Sequence, residues 1–562
     1  MATPTETPAE TAHEPGRPAP GRETRSVAPA VFYPAAAVIA LFVVATIVFP
    51  DPMSSGISAV QSTIIGGFGW YYTLLVTGFV VFALWLGFSH FGDIKLGPDE
   101  EKPEFGLGSW FAMLFAAGMG IGLVFWGVAE PLNHFASPKP GVVGTPQELA
   151  QQSLVQTFLH WGLHPWAIYV VVGLAVAYSI HRKNRSVSIR WALEPLFGSR
   201  VKGWVGDVVD VIAIVGTLFG VATSLGLGVL QIASGLDFLG IVSDPGNLTL
   251  VVLIGGITTL AIFSVVTGVK KGIKWLSNTN MGLAVALLLF VVITGPTLFL
   301  LRDFVQSIGL YFQNLFALSF DTTALQGAEG QAWQASWATF YWGWWISWAP
   351  FVGVFIARIS RGRSVREFVV GVLAVPSLVT FLWFTAMGGT ALQRELNGSG
   401  GLVGPDGSVD TDGALFGLLE GLPAGSVVAF GAVILIVLFF VTSSDSGSLV
   451  VDMLASGGET DPPVWSRVFW AAAEGLVAIG LLLASTEGNA LSALQTAAIV
   501  IAFPFSLVML LMCVGLYREF RLERRTFLRI QRRQRRAELT EHVSKHLAES
   551  GLVHGAERDD RS

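Results

Sequence analysis

The segment Phe340-Tyr341-Trp342-Gly343-Trp344-Trp345-Ile346-Ser347-Trp348-Ala349-Pro350 gathers four tryptophans and two further aromatic rings into one apolar stretch. The negative faces of such rings attract quaternary ammonium groups, each by about 0.5 to 2 kcal/mol depending on desolvation. An aromatic belt at the lipid headgroups, or plain core packing, would use the same residues. A second chemistry lies in Phe439-Phe440-Val441-Thr442-Ser443-Ser444-Asp445-Ser446, where four hydroxyls and a carboxylate fill five successive positions of a very apolar run. Helical hydroxyls can bond back to their own carbonyls, but five polar positions exceed that need. Thr442 and Ser443, with exposed carbonyls, offer the oxygens that a hard cation such as Na⁺ requires.

Backbone supplies a third clue. Gly118-Met119-Gly120-Ile121-Gly122, Gly216-Thr217-Leu218-Phe219-Gly220 and Gly226-Leu227-Gly228 place glycine where a simple membrane anchor would use leucine. Unwound backbone is tolerated in lipid only where it lines a cavity or is buried in protein. There its carbonyls can hold a cation and its amides a carboxylate, whereas close helix packing is the competing reading. With Pro350 after the tryptophans, two interrupted segments five spans apart are expected, the pattern of an inverted-repeat transporter with a midplane site.

These groups need elements to carry them, and composition says which. The 562 residues are 52% hydrophobic and 13% charged, with a mean hydropathy of +0.61, which excludes an ordinary soluble globule. Runs of spanning length fall at 31–50, 68–90, 107–128, 152–180, 208–234, 249–268, 280–301, 333–357, 367–389, 426–450, 466–485 and 490–516, which predicts an all-α integral membrane protein of twelve transmembrane helices. Lysine and arginine collect on one side of this arrangement. Every one except Lys139, Arg302 and Arg394 falls in a tail or an even-numbered loop, so both termini are expected to be cytoplasmic. The first run is an anchor of full spanning length, not a cleaved signal.

The transporter domain thus covers 29–516, between a cytoplasmic tail, 1–28, expected to be disordered and an arginine-rich cytoplasmic tail, 517–562. That second tail has helical composition from Tyr517 to Ala548 and is expected to meet anionic lipid, by about 1 kcal/mol per cation near the surface. Residues 303–320 place Phe304, Ile308, Tyr311, Phe312 and Leu315 opposite Gln306, Ser307, Gln313 and Asn314, a helix expected to lie in the interface plane. It could pack on its own subunit or on a neighbour. The single cysteine, Cys513, makes no internal disulfide, and no Cys/His metal cluster is visible in the sequence. Charges segregated by side make nucleic acid an unsuitable partner, and no nucleophile and base pair stands out for an enzyme.

Several motifs in order carry a resemblance. Gly118-Met119-Gly120-Ile121-Gly122-Leu123-Val124-Phe125-Trp126-Gly127, His160-Trp161-Gly162-Leu163-His164-Pro165-Trp166-Ala167-Ile168-Tyr169, and Trp344 to Pro350 with Arg358-Ile359-Ser360-Arg361-Gly362-Arg363 are similar to the betaine/carnitine/choline transporter family, from about Tyr33 to Tyr517. The resemblance implies two inverted five-helix repeats, spans three to seven and eight to twelve, after two extra helices, and a homotrimer. It implies that Trp161, Trp166, Tyr169 and Trp345 form a cage for a trimethylammonium group, with Trp344, Trp348, Phe340 and Phe355 lining the pathway or gates. Gly118, Gly120 and Gly122 belong to the substrate-binding break. Ala116, Met119, Phe439, Thr442 and Ser443 match one sodium site, and Thr217 matches part of a second.

This chain departs from the family pattern at Val221, where a second hydroxyl is expected for that second site. Coupling to two sodium ions is therefore open. Gly122 stands where choline-preferring relatives tend to carry an acid, which favours a zwitterion, with glycine betaine first. The implied function is sodium-coupled uptake of such a compatible solute by alternating access in the cell membrane, with sodium as coupling ion and no other cofactor. Ectoine uptake, sodium-independent exchange of the carnitine type and a transport-dead osmosensor are the alternatives. Asp445 and Glu474 are intramembrane carboxylates, and such groups are functional suspects by default. His160 and His164 flank the cage residues as hydrogen bonders.

Overall fold

The computed structural model describes residues 26–118, 120–267, 270–484 and 490–550. Helices dominate, and among the described residues no strand forms beyond two isolated bridges, Lys95 with Ser364 and Val403 with Val409. Among the described residues ten helices are long and apolar enough to cross a membrane, and the bent pair Leu107–Ala116 and Ile121–Ala136, at 67°, makes an eleventh if read as one span. The expected twelfth, over 333–357, forms the helix Phe340–Ile359 but is less apolar than the ten. Tryptophan, tyrosine, glycine and Arg358 lower its hydropathy, and it is shielded by its neighbours instead of lipid. Most of its residues are buried, against the helices Leu163–Ala177, Trp204–Phe238 and Ala490–Glu549.

Two expected interruptions are not there. Trp204–Phe238 runs 35 residues through all its glycines, and Phe340–Ile359 continues through Pro350. Glycine serves close approach here. A Cβ on Gly220 would lie 2.7 Å from Trp348 Cδ1 and 3.1 Å from the Ser347 Cβ, so the two helices could not meet as they do. The real breaks are at Gly120, which is extended between Leu107–Gly118 and Ile121–Ala136, and at Gly162, between Pro146–Trp161 and Leu163–Ala177. Pro165 explains the second. Its ring has no N–H to offer and cannot sit over the carbonyl of residue i−4, which is Trp161. That freed carbonyl accepts the Thr380 hydroxyl at 3.0 Å.

Helix starts are set by side chains. Thr145 accepts the Glu148 N–H at 3.3 Å while Glu148 accepts the Thr145 N–H at 2.7 Å, and Ser364 with Glu367 repeats this capping box. The amphipathic segment belongs to a longer helix, Thr297–Ser319, that packs on its own chain against Pro146–Trp161 and Val365–Asn397. Its buried edge differs from the expected one. Ser307 and Tyr311 are buried and Phe312 is exposed, because Tyr311 lies edge-on to Phe158 and Phe381 and so turns the helix. The last helix, Ala490–Glu549, continues 60 residues through the arginine-rich tail. Its root is tied down by Glu519 to Lys183 at 2.6 Å and by Glu523 to Arg182 at 2.5 Å. The disorder expected for 1–28 concerns residues almost wholly outside those described.

Candidate functional site

The break at Gly162 turns the chain between Trp161 and the pair Trp166 and Tyr169, so the three rings converge on a common space. With Trp344, Trp345 and Trp348 from Phe340–Ile359, and Gly120 and Gly122 from the broken helix, they line a cavity of about 40 Å³. Trp161 meets Trp345 edge-on at 4.9 Å, Trp344 stacks on Trp345 at 4.6 Å, and Tyr169 meets Trp345 edge-on at 6.4 Å. Phe340 stacks behind Trp344 at 5.5 Å and does not reach the cavity wall. Gly122 is needed there for its lack of a side chain. A Cβ would fall 2.2 Å from Trp344 Cη2.

Four of the five cage indoles are held by their N–H groups. Trp161 donates to Glu130 Oε2 at 2.7 Å, Trp344 to Ser224 Oγ at 3.2 Å, Trp345 to the His160 carbonyl at 2.9 Å and Trp348 to the Gly220 carbonyl at 2.7 Å. Buried indoles need such partners, and the bonds fix ring orientation. Glu130 is fully buried and does more: its Oε2 also accepts the Tyr341 hydroxyl and its Oε1 faces His160 Nδ1 at 2.7 Å. Sequence reasoning missed Glu130, although an acid inside the apolar run Ile121-Gly122-Leu123-Val124-Phe125-Trp126-Gly127-Val128-Ala129 was a usable signal. Ser224 was missed as a cage residue for want of any signal.

A second cavity, of about 300 Å³, holds the expected cation ligands. Ala116, Phe439, Thr442 and Ser443 line it with Phe355, Ser277, Asn280 and Ser446, and Trp348 lines both cavities. The Thr442 hydroxyl donates to the carbonyls of Leu438 at 2.9 Å and Phe439 at 3.2 Å, and accepts from Asn280 Nδ2 at 3.4 Å. Met119 lies outside the described residues, and Gly118 is the last residue of the helix Leu107–Gly118. Thr217 lines neither cavity; it is fully buried and its hydroxyl has no hydrogen-bond partner, and the same holds for the nearby Ser347 hydroxyl. Val221 packs toward Gly447, whose Cβ position lies 2.9 Å from Val221 Cγ2 and 3.1 Å from Glu474 Oε1. Glu474 is buried and accepts the Ser444 hydroxyl at 2.9 Å.

Many spans around a closed aromatic cavity beside an oxygen-lined one define a transporter of small solutes. The relatives agree. A family profile described as BCCT, betaine/carnitine/choline family transporter, matches residues 30–525. Over 502 residues the chain is 53% identical to an uncharacterized transporter of Mycobacterium tuberculosis, covering 89% of this chain and 84% of that one. It is 45% identical over 496 residues to the glycine betaine transporter of Bacillus subtilis, covering 88% and 95%. It is 42% identical over 496 residues to a glycine betaine/proline/choline transporter of Vibrio parahaemolyticus, covering 85% and 87%. This chain belongs to the betaine/carnitine/choline transporter family, and it is a multi-pass membrane transporter, not an enzyme.

Proposed function

We propose that the protein imports a zwitterionic quaternary-ammonium solute, glycine betaine first, coupled to sodium and by alternating access, for osmoprotection. The cage of Trp161, Trp166, Tyr169, Trp344, Trp345 and Trp348 is the observation that carries this reading. Ring faces suit the trimethylammonium end, and the backbone at Gly120 and Gly122 suits the carboxylate. The cage space is far smaller than the second cavity, so substrate entry requires the rings to part.

Sodium is assigned to Ala116, Phe439, Thr442 and Ser443 with Met119, and a second ion to Thr217. Trp348, shared by both cavities, is the natural link between cage and cation. For a net-neutral solute, one sodium ion with a tenfold gradient and 100 mV supplies about 3.7 kcal/mol, a roughly 500-fold accumulation. Twelve spans in two inverted repeats, cytoplasmic termini, a homotrimer and an anionic-lipid contact at the tail complete the proposal. The exposed apolar row Leu298, Leu301, Val305, Phe312 and Phe316 supports a subunit contact, and the exposed arginines after Tyr517 support the lipid contact. Uptake of labelled glycine betaine into liposomes, with external sodium varied at fixed membrane potential, tests the reading. Sodium-dependent accumulation is expected; uptake indifferent to sodium would replace symport by exchange.

A further inference from the structure

Behind the cage, the carboxylate oxygen of Glu130 that holds no cage ring faces two imidazoles. Glu130, His134 and His160 are 0%, 4% and 0% exposed, and one ligand atom from each lies within 4.8 Å of the others. Glu130 Oε1 is 2.7 Å from His160 Nδ1 and 3.4 Å from His134 Nε2. Tetrahedral zinc with nitrogen and oxygen ligands near 2.1 Å spaces those ligands by about 3.4 Å. The group is already close to that spacing.

His134 is the second, independent observation. It is buried, its Nδ1 has no hydrogen-bond partner, and its Nε2 has only the 3.4 Å approach of Glu130 Oε1. A buried imidazole left so is uncommon and costs stability. His134 also lines a third cavity, of about 470 Å³, with Gln152, Gln156, Asn314 and Trp333, which provides an approach for an ion and room for a water. Gln156 in turn meets His160 Nε2 at 3.1 Å, the kind of outer partner that fixes a ligating imidazole.

We propose that Glu130 Oε1, His134 Nε2 and His160 Nδ1 form a binding site for a divalent transition-metal ion of the zinc class, with water in the fourth position. On binding, the metal takes Nδ1 of His160 and the single imidazole proton passes through solvent from Nδ1 to Nε2, with no net proton lost. His160 then carries its proton on Nε2, and the Gln156 amide rotates to accept it. Glu130 Oε2 keeps the Trp161 and Tyr341 bonds throughout, so the cage stays built. The ion would tie the helix Ile121–Ala136 to Pro146–Trp161 and slow any motion between them. That consequence for transport rests on the betaine reading; the metal site does not.

The test uses the full chain in detergent and zinc alone. Competition with a chromogenic zinc chelator is expected to show one tight zinc per chain, unaffected by excess magnesium, which histidine nitrogen suits poorly. H134Q should weaken zinc at least about tenfold while betaine uptake without zinc is unchanged, since His134 touches no cage ring in the set above. Calorimetry of the unaltered chain gives a readout that needs no variant, with about one zinc bound per chain. No zinc bound beyond the magnesium level, or equal affinity in H134Q, would each overturn the site. Zinc binding with absent betaine uptake would leave the site standing and remove only the transport reading.

Discussion

The cage and the surroundings of Thr217, the second proposed ion position, are finished differently. In the cage, the indole N–H groups of Trp161, Trp344, Trp345 and Trp348 all end on protein acceptors. Around Thr217, outside the cation cavity, the hydroxyls of Thr217 and Ser347 and one oxygen of Glu474 have no protein partner. The difference follows from what each must bind. A quaternary ammonium has no hydrogen to donate and asks only for ring faces in fixed places, so the polar edges can be spent on rigidity. A sodium ion asks for oxygen lone pairs, which must stay free of internal bonds.

The comparison breaks most severely at Glu130. E130A leaves Trp161 Nε1, the Tyr341 hydroxyl and His160 without an acceptor, each unsatisfied group costing about 1–3 kcal/mol. Loss of thermal stability together with betaine binding is expected, read by melting of purified protein. A variant that melts like the parent would show that the cage is not held from behind. Next comes G122A. Its methyl must push Trp344 aside, and overpacking of about 1–3 kcal/mol translates into betaine binding weaker by roughly 5- to 150-fold. Tryptophan quenching by betaine measures it, and unchanged affinity would mean that Trp344 yields freely. Replacing one ring is milder. W345L should weaken binding by roughly 2- to 30-fold while folding survives, the range expected for one cation–ring contact; an unaltered affinity removes Trp345 from the cage.

In this site the aromatic run around Trp345 could be read from its residue types, whereas Trp161, Trp166 and Tyr169 were implied by the family resemblance. How they are held could not be read. Glu130 meets Trp161 across 31 positions and Tyr341 across 211, and such pairings arise only once helices pack. Glycine misled in a consistent way. At Gly120 it marks a true break, whereas at Gly220 it admits Trp348 to an unbroken helix, and the local pattern of the two is alike. The break at Gly162 was legible in principle through Pro165, whose effect on the Trp161 carbonyl is local chemistry. The run expected over 333–357 forms a helix half hidden by its tryptophans, since apolarity measures contact with lipid and Phe340–Ile359 mostly contacts protein.

Smaller effects sharpen the ion side. T442V removes an oxygen from the second cavity and should raise the sodium concentration for half-maximal uptake about tenfold, or by 1.4 kcal/mol, with maximal uptake recovered at high sodium. An unchanged sodium curve would take Thr442 out of the cation shell. V221T is the finest probe, because valine and threonine share a shape and differ by one hydroxyl. Val221 lies one turn beyond Thr217 on the same helix and packs at Gly447 beside Glu474 Oε1. If the unaltered chain moves one sodium ion, its sodium dependence has a Hill slope of one, and V221T should raise it by giving Thr217 a neighbouring oxygen. A slope already above one and indifferent to V221T would mean that the second ion finds its oxygens elsewhere. Glu474, whose Oε1 is unpartnered against that same valine, would then be the group to change next, and a slope that falls to one in E474Q would place the ion there.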